Sequence, residues 1–133
     1  MATTIAQLTL TSTDLTSDTL ALSTVASISA AHTSGLSRAT VTSTAIGTSS
    51  GQVTVDTADT YNSPNIIYIK NTSEYNSSNN VITGYWSGDD DGPILRIHGG
   101  QFAYMPTSGL QTLKLFTSSA GTIVEYMVIG TNA

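Results

Sequence analysis

Apolar residues return at every second position along most of this chain. Ala6, Leu8 and Leu10 alternate with polar neighbours, Thr11 to Thr19 is a polar connection, and Leu20, Leu22, Thr24, Ala26 and Ile28 alternate again. Period two marks a strand with one covered face, so two strands are predicted before residue 31. A helix over Leu20 to Ala31 competes, because alanine is frequent there. Thr24, Val25 and Ile28 weaken it, since β-branched and hydroxyl side chains are poor in helix interiors. Ala30 to Leu36, holding His32 and Gly35, reads as a loop. Ala39, Val41, Ser43 and Ala45 read as a thin third strand, and Gly47 to Gly51 as a turn into Val53 and Val55.

The pattern is denser from Asn65. Ile66-Ile67-Tyr68-Ile69 is a strand ended by Lys70-Asn71-Thr72-Ser73, Glu74 to Asn80 is a loop, and Val81 to Trp86 is the next strand. Gly88 to Pro93 is a tight connection. Ile94 to His98, Gly99-Gly100 and Gln101 to Met105 read as one turn between two strands, with both glycines free to take positive φ and Pro106 removing a ladder donor. In the second run Gln101, Ala103 and Met105 share one face, Phe102 and Tyr104 the other. Leu113 to Thr117 and Thr122 to Ile129 complete the set. In the last strand Ile123, Glu125, Met127 and Ile129 oppose Val124, Tyr126 and Val128, so it is apolar on both sides and is expected to be central or to face another subunit. Phe102 and Tyr126 are the expected aromatic anchors of the core. About eight to ten short strands at near-regular spacing predict an all-β fold, an antiparallel β-sandwich or jelly roll.

Composition refines this reading. A chain of 133 residues has the size of one domain, 1–133, and its 39% hydrophobic content and net charge of -5 argue against disorder. Charged residues make up only 10%, so hydroxyls must cover much of the surface, and threonine favours strands. Every aromatic lies at or after Tyr61, which leaves residues 1–58 as a Ser/Thr-rich part with only a shallow core of its own. Two readings stay open for it: an arm that packs on another surface, or simply more strands for the same sandwich.

The four basic residues, Arg38, Lys70, Arg96 and Lys114, are scattered, which speaks against a nucleic-acid partner or an acidic membrane. Without cysteine there is no disulfide framework, thiolate metal site or Cys nucleophile. No run has the length of a membrane span, and the N-terminus lacks the basic and apolar regions of a secretion signal, so synthesis in a cytoplasm is expected.

Motifs for chemistry are sparse. Gly47-Thr48-Ser49-Ser50-Gly51 matches the G-x-S-x-G nucleophile elbow, but that motif needs a following helix and here a β-branched run follows. His32 and His98 have no orienting partner at a useful spacing, so no catalytic residue is assigned and the chain is not expected to be an enzyme. Asp89-Asp90-Asp91 is the one acidic cluster. It lacks the alternating spacing and distal Glu of a calcium loop, and a solvated tip that discourages edge pairing accounts for it better. No metal or cofactor is expected. Tyr85-Trp86 and Tyr104 form a possible sugar-stacking platform, against the plainer expectation of buried core. Asn71-Thr72-Ser73 and Asn76-Ser77-Ser78 match the glycosylation sequon without a secretion signal to give it meaning.

Three phrases carry a resemblance: Ile67-Tyr68-Ile69-Lys70-Asn71-Thr72, Gly99-Gly100-Gln101-Phe102-Ala103-Tyr104-Met105-Pro106, and Val124-Glu125-Tyr126-Met127-Val128-Ile129. With the Met-Ala-Thr-Thr start, they resemble small β-rich virion proteins of tailed bacteriophages, especially those infecting cyanobacteria. The acidic insert from Gly88 to Pro93 departs from that pattern. The resemblance implies a head-decoration, or cement, protein on the capsid surface of the virion, often a homotrimer, whose partner is the major capsid protein. The apolar positions point to Ala6, Leu8, Leu10, Ile123, Met127 and Ile129 as candidate assembly contacts. A phage tail or fibre component and a carbohydrate-binding module are the alternatives.

Overall fold

A computed structural model describes the chain except at residues 1, 16, 31, 34, 48–49, 57–64, 76–79, 89–91 and 131–133. Every regular element among the described residues is a strand. β1 (Ala2–Ser12) and β2 (Leu20–Ala30) pair along their full length in one antiparallel register and form a sheet of their own. β3 (His32–Thr33), β4 (Ser37–Val41), β6 (Asn65–Asn71), β9 (Phe102–Thr107) and β11 (Thr122–Gly130) build a five-stranded sheet. β5 (Val53–Asp56), β7 (Ile82–Trp86), β8 (Pro93–Ile97) and β10 (Leu113–Thr117) build a four-stranded one. The fold is an all-β antiparallel sandwich, as the alternation predicts.

The core is the layer between the two larger sheets. Val41, Ile67, Ile69, Val124 and Val128 of the five-stranded sheet meet Ile82, Ile97, Leu113 and Leu115 of the four-stranded one, all 3% exposed or less. β6 and β11 lie at the centre of their sheet, and β11 pairs with β6 on one side and with β3 and β4 on the other. This is the central position that its two apolar faces require.

Buried asparagines at both ends of β6 tie the sheets together. Asn65 Nδ2 donates to Asp56 Oδ2 on β5 at 2.8 Å. Asn71 Nδ2 donates to the carbonyls of Asn80 and Ile97, and its Oδ1 accepts from the Ser73 amide at 3.1 Å. Asn71 is fully buried, so the first sequon cannot carry a glycan; the second falls outside the described residues.

Several expectations are corrected. Residues 32–33, read as loop, form the two-residue strand β3 because β11 is long enough to offer Ile129 and Gly130 as partners. β4 stops at Val41; Ser43 and Ala45 belong instead to a loop in which the Thr42 and Ser43 amides both donate to the Gly51 carbonyl at 2.9 Å. Gly51 has φ +80, and a Cβ there would stand 2.8 Å from the Ser43 nitrogen. β8 and β9 do not pair with each other. Their turn, closed by the Gln101 amide on the His98 carbonyl at 3.0 Å, carries the chain from one sheet to the other, and of its two glycines only Gly100 has positive φ. Pro106 sits inside β9, which as an outer strand tolerates a missing donor.

Phe102 is not a core anchor. Register sets Ala103 opposite Ile69 and Met105 opposite Ile67, so these two face the core, while Phe102 opposite Lys70 points outward and is 58% exposed. Tyr126 is half-buried and packs against the core. Leu115→Ala is therefore expected to cost about 2 to 5 kcal/mol, as deletion of a buried leucine does. Phe102→Ala should cost less than about 1 kcal/mol, as exposed substitutions do; denaturant melts of the two variants check the assignment of faces. Asn71→Leu, which removes the side-chain partner of the buried Ile97 carbonyl and of the part-buried Asn80 carbonyl and Ser73 amide, should lose roughly 1 to 3 kcal/mol for each group left unsatisfied, less whatever water recovers.

Candidate interaction surface

The outer face of the five-stranded sheet is built by register. Directly paired residues in an antiparallel ladder share a face. Met127, Tyr68 and Tyr104 therefore form one row across β11, β6 and β9, and Arg38, Glu125, Lys70 and Phe102 form the next across β4, β11, β6 and β9. Glu125 joins the two rows. Its Oε1 accepts from the Tyr68 hydroxyl at 3.1 Å, and its Oε2 accepts from Arg38 Nε at 3.1 Å with Nη2 at 3.0 Å. The Arg38 side chain is largely exposed, so the ion pair contributes little stability and serves chiefly to hold the carboxylate toward Tyr68.

The hairpin lies beside this face. Ala6 pairs with Ala26 and Leu8 with Thr24, so the four share one side of the β1–β2 ribbon. Together with Tyr68, Phe102, Tyr104 and Met105 they line an open groove of about 690 Å³. Most of its walls are apolar, with Gln7 and Thr24 among its polar residues. A cleft of this kind suits a partner's side chains or a small ligand.

The six sequence-predicted contact residues do not form one patch. Ala6 and Leu8 line the groove, and Leu10 continues the same side of the ribbon toward its tip, with Leu8 40% and Leu10 44% exposed. Ile123 is exposed opposite Thr40, and its carbonyl accepts from Thr72 Oγ1 at 2.7 Å. Met127 is half-buried in the tyrosine row. Ile129 is 4% exposed and packs with Ile66 and Met127, so it offers no surface to a partner. Tyr68 and Phe102 are the surface residues that sequence reasoning missed, and Tyr104, read as part of a stacking platform with Tyr85 and Trp86, joins them instead. The alternation separates them from Ala103 and Met105 but carries no sign of which side is inside.

The other candidates come apart. Tyr85 and Trp86 point to opposite faces of β7. Tyr85 is buried, its hydroxyl donating to Gln52 Oε1 at 2.7 Å and accepting from the Gly47 amide at 3.3 Å. Trp86 packs against the core, and Tyr104 lies on the other sheet, so no shared platform exists. Strand β5, not a helix, follows Gly51. His98 is half-buried in its turn, its amide donating to Gln101 Oε1 at 3.0 Å. Asp89 to Asp91 lie outside the described residues, and among those described no group of three or more metal-ligating side chains gathers.

No protein-family model matches the chain, and no curated protein matches it. Among solved structures it is similar to a chain from Bacillus endospore appendages, described as forming a novel family of disulfide-linked pili. The identity is 14% and the TM-score 0.45, over 100% of this chain and 93% of that one. A likeness of this size carries no argument about function.

Burial raises the Tyr68 pKa above the ordinary 10.0, and the Glu125 hydrogen bond and negative charge raise it further. Burial also raises that of Tyr104. A raised tyrosine pKa means that the folded state holds the proton more tightly than the unfolded one. The corresponding stability is complete below the ordinary value and is lost as pH rises through the folded value. Ultraviolet titration of tyrosinate is expected to show a component above pH 10.0 that loses amplitude in Tyr68→Phe, Tyr104 still contributing to it, and that moves down in Glu125→Gln. A wild-type curve unchanged by Glu125→Gln would refute the coupling.

Proposed function

We propose that this chain is a virion structural protein: a decoration, or cement, protein that binds the assembled head shell of a tailed bacteriophage as a homotrimer. In this reading it is made in the host cytoplasm, engages the major capsid protein, acts without catalysis or cofactor, and ends on the capsid surface. The observation that carries the reading is the β1–β2 ribbon, which projects apolar side chains outside the sandwich, with Ile5 68%, Leu22 46% and Val25 60% exposed. Apolar area displayed on an element outside the core is most useful against a partner surface. The resemblance to phage virion proteins supplies the identity of that partner. A tail or fibre component uses the same surface for a different neighbour.

The exposed Phe102 and Tyr104 beside the groove favour one other reading, a carbohydrate-binding module, because aromatic faces stack on sugar rings. Purified protein is expected to co-sediment with undecorated heads and to be located on their outer surface in imaged particles. Protein that stays in the supernatant but is retained on a glycan column would favour the carbohydrate reading. Particles carrying it on the tail would move it to the tail class.

A further inference from the structure

We propose that the free edges of the β1–β2 ribbon pair, strand to strand, with the ribbon of a second copy of this chain. The inference rests on the homo-oligomer reading above and names the element that makes the contact.

The argument begins from how this molecule treats its other edges. An outer strand presents unpaired amides and carbonyls, and natural sheets blunt such edges with proline, charge, bulges or short length. Each outer strand of the two larger sheets carries one of these devices. β8 begins at Pro93, carries Arg96 and pairs with β7 through a register shift. β9 contains Pro106, and β5 has four residues, ends in Asp56 and meets β10 through a second shift. β4 carries Arg38, and β3 has two residues.

The ribbon has none of these devices. Each of its strands is 11 residues long, the register runs unbroken from Ala2↔Ala30 to Ser12↔Leu20, and the two strands contain no charged residue, proline or glycine. Among the described residues no other strand pairs with either outer edge. A two-stranded ribbon alone is marginal in water, and added strands are what make such a sheet stable.

The occupant follows from charge and pattern. The chain as a whole carries -5, yet its two longest strands are neutral, so two copies meet there without like-charge repulsion. Asp14 and Asp18 lie in the connection, outside the paired strands. A second ribbon offers strands of the same length and the same alternation. Antiparallel addition then aligns its leucine-bearing side with Leu8, Leu10 and Leu22, while main-chain hydrogen bonds supply the affinity.

The test uses the full chain. Light scattering should give wild-type protein a mass that is a multiple of 13.8 kDa. Ile5→Lys with Val25→Lys, one lysine on each strand at exposed positions, should bring it to 13.8 kDa. Near-UV circular dichroism should not change, because every aromatic lies outside the ribbon. Ile5→Thr with Val25→Thr removes the same apolar area but keeps β-propensity without charge, and should stay oligomeric. Hydrogen exchange should show consecutive amides of β1 or β2 protected in the oligomer, where a lone ribbon protects only alternate ones. Monomeric wild-type protein would overturn both this inference and the homo-oligomer reading. An oligomer that survives the lysines, or that protects only alternate ribbon amides, would overturn strand pairing alone, as would a threonine variant that dissociates.

Discussion

The packing of β6 against the four-stranded sheet is the contact on which the rest of the structure depends. Its core-facing side reads Asn65, Ile67, Ile69, Asn71: two isoleucines flanked by two buried amides. The isoleucines supply apolar contact without direction. The asparagines supply direction without much net energy, since a buried amide roughly recovers its lost water bonds only when its partners are in place. Sliding β6 along the opposite sheet would separate Asn65 from Asp56 at one end and Asn71 from the Ile97 carbonyl at the other. The apolar layer stabilises the sandwich, and the two amides fix its alignment.

That alignment places everything outside it. With Ile67 and Ile69 turned inward, Tyr68 must face out, and register then carries Tyr104 and Met127 to the same row. The Glu125 carboxylate is held in that row by Arg38 and the Tyr68 hydroxyl. The outer face is thus a consequence of core phase. One of its rows, Met127, Tyr68 and Tyr104, is built of large side chains, the next carries Arg38, Glu125 and Lys70, and the ribbon at its flank leaves a groove there rather than closing it.

The ribbon is made by different rules. It has no aromatic and no charge, and among the described residues its strands pair only with each other, in an unbroken ladder between two equal strands. Such an element gains from partners beyond its own chain, and the exposed positions of Ile5, Leu22 and Val25 are consistent with that use. The sandwich edges carry proline, charge or register shifts, which keeps association away from them.

The sequence by itself determined the strands. Period-two alternation located β2, β10 and β11 to within about two residues and found the middle of β1, because in a strand each side chain's face depends only on its neighbours' positions along the chain. It also separated Ala103 and Met105 from Phe102 and Tyr104. What it could not determine was which of those two sets is inside, since hydrophobicity favoured the phenylalanine, and only pairing with Ile67 and Ile69 settled the phase. Partners were equally beyond reach. The turn at Gly99-Gly100 looks alike whether its strands pair or pass to opposite sheets, because a turn's residues encode a change of direction and not a ladder. The outward row of Tyr68, Tyr104 and Met127 exists only through residues far apart in the chain, and no local pattern records that meeting. Tertiary structure alone decided it, through the registers that the core imposes on β6, β9 and β11.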